Sequence, residues 1–83
     1  MKDSDAITLK TAKRLRAIRI DRDLTQAQVA DKAKMSANYY AKIERGEVRP
    51  SIDMYERVAK ALKITAADLF PILNNQLGKL NSI

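Results

Sequence analysis

Cysteine and histidine are both missing from this 83-residue chain, and glycine occurs only at Gly46 and Gly78. Without cysteine there is no disulfide framework, and without either residue a zinc site lacks its ordinary ligands. The missing histidine also removes the commonest general base and the commonest partner of a catalytic nucleophile. Two isolated glycines cannot build a glycine-rich phosphate loop. No enzyme, metal or other cofactor is therefore expected. No apolar run approaches the roughly 20 residues that span a bilayer, and the polar start Met1-Lys-Asp-Ser-Asp5 lacks the apolar core of a signal peptide. A cytoplasmic chain without a membrane partner is expected.

What is present is apolar surface and positive charge. Hydrophobic residues make up 46% of the chain, enough for one small core. The formal net charge is +6. Lys10, Lys13, Arg14, Arg16, Arg19 and Arg22 crowd one stretch, and Lys32, Lys34, Lys42, Arg45 and Arg49 follow. A basic balance alone is compatible with a merely solvated surface; its distribution around a motif is more informative.

The spacing predicts an all-α fold of five short helices. Residues 1–7 read as a flexible N-terminus, 8–71 as one domain, and 72–83 as a tail. A first helix runs from Thr8 to about Arg22, with Leu15 and Ile18 inward and Thr11 and Ala12 one turn before them. Lys10 and Arg14 read as solvated. Thr25 and Gln28 have capping-box spacing, which opens a second helix, and its Ala27, Val29, Ala30 and Ala33 are small enough for a close neighbour. Lys34-Met35 is the turn, and Ser36 caps a third helix whose Tyr40 and Ile43 face inward. Gly46 ends it. Ser51 opens a fourth helix with an apolar stripe of Ile52, Tyr55, Val58, Ala59 and Leu62. Thr65 opens a short fifth, with Leu69 and Phe70 inward and Pro71 ending it. Nothing alternates with period two. The two helices around Lys34-Met35, set in a basic chain, read as a helix-turn-helix, whose second helix enters the DNA major groove.

At this point the sequence resembles the Cro/repressor-like, xenobiotic-response-element type helix-turn-helix family. The elements that carry the resemblance are Leu15-Arg-Ala-Ile-Arg19, Leu24-Thr-Gln26, Val29-Ala30, Ser36, Tyr40, Ile43-Glu-Arg-Gly46, Pro50-Ser51, Val58-Ala-Lys-Ala-Leu62 and Asp68-Leu-Phe70. The ordered set is specific, although single pieces are common. One departure is Lys34, where many members carry Gly or Asn; a left-handed Lys costs roughly 1 kcal/mol.

The resemblance implies a compact lambda-repressor-like domain and double-stranded DNA as partner, which would place the protein at the nucleoid. It implies base-edge contacts from Ala37, Asn38, Tyr39 and Lys42 on the third helix. Asn can pair with adenine, Lys can reach guanine acceptors and Ala can touch a thymine methyl. Gln26 matches a phosphate-contacting position beside a helix N-terminus, and Ser36, Arg45 and Arg49 are further phosphate candidates. Arg19 and Glu44 match a partly buried structural ion pair. The segment after Phe70 carries no family signature, so no small-molecule effector is expected.

Two functions from different classes follow. One is a sequence-specific transcriptional regulator, a homodimer on a palindromic operator, of the restriction–modification controller, phage repressor or antitoxin autorepressor kind. The other is a protein-interaction module that uses the same fold without reading DNA; the charge and the polar third helix argue against it. For the homodimer, Leu69, Phe70, Ile72 and Leu73 form the best candidate interface. The alternative is that this segment folds back and completes its own core.

Overall fold

The computed structural model describes residues 3–70, the first three as backbone only. The described elements are α1 (Asp3–Asp21), α2 (Gln26–Ala33), α3 (Ala37–Glu44), α4 (Ile52–Ala61) and α5 (Ala66–Leu69), with no strand among the described residues. Helix α1 begins ahead of the Thr8 expected from sequence. Ile72 and Leu73 lie outside the described residues.

Each of the four later helices opens on a hydroxyl. Thr25 Oγ1 accepts from the Gln28 backbone N–H at 3.1 Å, while Gln28 Oε1 accepts from the Thr25 N–H at 2.8 Å. Ser36 and Ser51 accept from the N–H groups of Tyr39 and Met54, and Thr65 and Asp68 form a second reciprocal box. These caps satisfy N–H groups that have no partner within the helix.

The first four helices end alike. The backbone N–H groups of Leu24, Met35, Glu47 and Ile64 donate to the carbonyls of Arg19, Ala30, Lys42 and Ala59, five residues back. In each case the residue before the donor is left-handed: Asp23, Lys34, Gly46 and Lys63. This is a Schellman closure, which favours glycine at the left-handed position. Only Gly46 obeys that preference, and a Cβ there would also meet Leu9 Cδ2 at 2.5 Å. Lys34 and Lys63 accept the left-handed penalty, roughly 1–2 kcal/mol each, while Asp23 belongs to the short polar residues that enter this region more readily.

The core gathers Leu15 from α1, Val29, Ala30 and Ala33 from α2, Tyr40 and Ile43 from α3, Tyr55, Val58 and Leu62 from α4 and its end, and Leu69 from α5. Helix α2 lies between α3 and α4 and packs on both. The Tyr55 and Phe70 rings meet edge to face, 5.1 Å between centroids.

Four placements differ from the sequence reading. Ile52 is 71% exposed, because the α4 stripe starts a turn later, at Tyr55. Ala27 faces solvent, while Val29, Ala30 and Ala33 carry the buried face. Arg14 is half-buried, with Nε donating to the Asp68 carbonyl, so it ties α1 to α5. Leu69 is fully buried in the monomer and has no surface left for a partner, so it leaves the candidate interface.

Candidate nucleic-acid interface

Helix α3 has two unlike sides. Tyr40, Ile43 and Glu44 are buried, which fixes the helix against α1 and α2. Ala37, Asn38 and Lys42 are exposed. Asn38 and Lys42 are four residues apart and share one face. Tyr39 is half-buried and packs on the core, so only part of its ring is open to a ligand. Ser36 is exposed; its oxygen serves as the α3 cap, which leaves the hydroxyl proton to donate elsewhere.

One buried carboxylate holds the start of α2 and the end of α3 together. Arg19 Nε donates to Glu44 Oε2 at 2.6 Å and Nη2 donates to Oε1 at 3.1 Å, a two-pronged pair. Arg19 Nη1 donates to the Leu24 carbonyl at 2.8 Å. Gln26 Nε2 donates to Glu44 Oε1 at 3.1 Å. The Glu44 side chain is only 2% exposed and that of Arg19 13%. Burial alone would raise the Glu44 carboxyl, but Arg19 foremost, then the Tyr40 hydroxyl and Gln26, outweigh it and hold it below the ordinary carboxylate range. Arg19 is thus directed inward, toward Glu44. Gln26 spends one amide proton on Glu44, and its second lies outside that bond.

At the far end of α3, Arg45 pairs with Glu47, Nη2 to Oε2 at 2.8 Å. The Arg45 guanidinium holds the exposed Glu47 carboxyl low. A phosphate at Arg45 must therefore compete with that carboxylate. Arg49 is exposed on the loop that follows.

Sequence reasoning missed Arg57. Its Nε donates to the Ala33 carbonyl at 2.9 Å and its Nη2 to the Lys34 carbonyl. The guanidinium thereby closes the open end of α2 at the turn that aims α3. No local spacing reveals this contact, because it joins residues more than 20 positions apart. Among the described residues no group of acidic side chains could hold a metal, and no helix is long and apolar enough to cross a membrane.

The order of these parts can be compared with known proteins. The sequence model of the helix-turn-helix family (HTH_3) matches residues 15–69. This chain belongs to the helix-turn-helix family. Its family relatives include the immunity repressor protein of Bacillus phage phi105, 46% identical over 56 residues, which cover 68% of this chain and 39% of the repressor. The HTH-type transcriptional regulator DdrOP3 of Deinococcus deserti is 34% identical over 61 residues, covering 74% of this chain and 47% of DdrOP3. The chain therefore spans less than half the length of these two curated relatives. Among solved structures, the restriction–modification controller protein C.AhdI from Aeromonas hydrophila superposes with a TM-score of 0.76 at 31% identity. That match covers 78% of this chain and 98% of the controller. The five helices of the described residues, with no strand among them, thus have the architecture of an HTH family domain.

Proposed function

We propose that this protein is a sequence-specific DNA-binding transcriptional regulator that inserts α3 into the major groove. The observation that carries the reading is the two-sided α3. Its buried side is clamped by Glu44, and its open side presents Ala37, Asn38 and Lys42. Base readout requires side chains held rigidly at a groove edge, and a buried ion pair supplies that rigidity.

In this reading Asn38 and Lys42 read base edges, Ala37 packs on a thymine methyl, and Tyr39 adds a contact with the exposed part of its ring. Gln26, Ser36, Arg45 and Arg49 hold phosphates on either side. Gln26 and Ser36 stand at the N-terminal ends of α2 and α3, where helix dipoles favour anions. The partner is double-stranded DNA at the nucleoid, in the cytoplasm. The protein acts as a homodimer, because one recognition helix covers about half a site and a two-fold mate supplies the other half one helical turn away. Resemblance to a phage immunity repressor and a restriction–modification controller supports regulation as the outcome of binding.

The test is a selection of bound duplexes from random DNA at fixed salt, repeated with Asn38→Ala. Wild type should enrich a two-fold symmetric sequence. The variant should lose about 1–3 kcal/mol of discrimination at one base pair in each half-site. Enrichment of no sequence by wild type would remove this reading in favour of a protein-binding module.

A further inference from the structure

A second basic surface lies away from α3. The ends of α2 and α4 enclose a groove of about 420 Å³. Lys32 lines it from α2 and Lys34 from just past its end, Lys60 from α4 and Lys63 from just past its end, all four exposed. Its floor is Ala33 and Ala61. A smaller hollow of about 260 Å³ shares Lys32, Ala61 and Lys63 and continues the track to Arg22. No exposed residue of α3 contributes to either. No carboxylate lines the track, and among the described residues no carboxylate pairs with the four lysines.

The bland explanation is that lysines at helix ends offset the helix dipoles. The magnitudes do not match. Two helix C-termini carry roughly half a negative charge each, and Arg57 already neutralises that of α2 by bonding the Ala33 and Lys34 carbonyls. Four further cations exceed the need. Two of them, Lys34 and Lys63, also occupy left-handed positions where glycine is favoured. Fold stability therefore selects against lysine at these two positions. A retained strained residue is a reason to look for a ligand.

The chemistry of the ligand follows from the donors. The Arg57 fork is committed to carbonyls, so planar bidentate recognition of carboxylates is not on offer. What remains in the groove are ammonium point charges, with the Arg22 guanidinium at the far end of the track, and both groups suit phosphates. The lining holds no ring on which a base could stack. We propose that this track is a second anion site, taking the phosphate groups of a linear polyanion: a second nucleic-acid segment or a free polyphosphate chain.

The probe is tripolyphosphate, titrated into the full chain at fixed ionic strength and followed by amide NMR, with citrate as a carboxylate control. The Lys34, Lys60 and Lys63 amides should shift saturably with tripolyphosphate and much less with citrate, along a binding curve separate from any shift at the α3 N-terminus. Lys60→Gln with Lys63→Gln should weaken binding at least tenfold. Lys34→Gly with Lys63→Gly should also weaken it, yet melt no lower than wild type, which separates binding from helix capping. Equal response to citrate, shifts confined to α3, or full affinity in the glycine variant would overturn the proposal. A further arm asks whether the chain, saturated with one duplex, captures a second labelled duplex. Capture assigns the site to nucleic acid; tripolyphosphate binding without capture assigns it to free polyphosphate. Asn38→Ala with Lys42→Ala should retain tripolyphosphate binding whatever becomes of duplex readout, so the α3 reading can fail separately.

Discussion

Gln26 and Glu44 are joined by a 3.1 Å hydrogen bond that ties the first turn of α2 to the last residue of α3. The same carboxylate takes both prongs of Arg19 from α1. Three helices therefore meet on one buried charge, and the spacing between the α2 N-terminus and α3 depends on it. In the proposed function those two elements grip phosphate and base.

Glu44→Gln preserves shape and removes the charge, leaving Arg19 without its counter-ion. Breaking a buried pair costs about 3–5 kcal/mol. For a domain of this size that is a fall of at least about 10 °C in melting temperature. The pH dependence has a defined sign. The folded carboxyl lies below its ordinary value of 4.5, so on acidification the unfolded chain takes up the proton first. The Glu44 contribution is complete above about pH 5 and is lost as pH falls through the folded value. In urea titrations the gap between wild type and Glu44→Gln should be full near pH 7 and narrow as pH falls. A gap that stays constant with pH would place the pair's contribution elsewhere.

Gln26→Ala should weaken specific and random duplexes alike, since a phosphate contact carries no sequence information. Arg49→Gln should reduce the slope of log affinity against log salt by about one, because one fewer counterion is released. Fluorescence anisotropy over a salt series measures both effects. An unchanged slope would remove Arg49 from the phosphate set.

Arg57→Ala should destabilise the chain by about 2–3 kcal/mol, since two carbonyls at the end of α2 lose a charged donor. Arg57→Lys should recover little, because one ammonium cannot reproduce the fork. Thermal melts of the two variants decide it; near-complete rescue by lysine would mean that charge alone matters there.

The helices were legible because their signals are local. Thr25, Ser36, Ser51 and Thr65 act within three residues, and Tyr40 with Ile43 shows the inward face of α3 by spacing alone. The features that escaped are long-range or conformational. Arg57 reaches back to α2, and Arg14 reaches α5, contacts that no window of sequence contains. Lys63 turns left-handed without any side-chain preference for it, driven by the Schellman bonds around it, whereas Asp23 is of a type that visits that region more readily. Ile52 fitted an apolar stripe by periodicity, but the register is set by Tyr55, whose ring packs on Phe70. The Arg19–Glu44 pairing came through family resemblance; 25 residues of separation hide it from periodicity. The base and phosphate roles of the α3 face rest on the same resemblance and on exposure.

The last prediction concerns the homodimer. The apolar cluster Leu69, Phe70, Ile72 and Leu73 suggested an interface, but Leu69 is fully buried. It belongs to the core with Leu15, Val58 and Leu62. Leu69→Lys would therefore bury an unpaired charge and unfold the chain, whatever the oligomeric state. Phe70 is half-buried, with one face against Tyr55. If the interface begins there, Ile72 and Leu73 carry most of it. Ile72→Lys with Leu73→Lys should then sediment as a monomer, melt close to wild type when diluted, and lose cooperative binding to a palindromic duplex while still binding a half-site. Should the double variant remain dimeric, the interface lies on another apolar surface, and Ile52, exposed on the first turn of α4, is the next residue to charge.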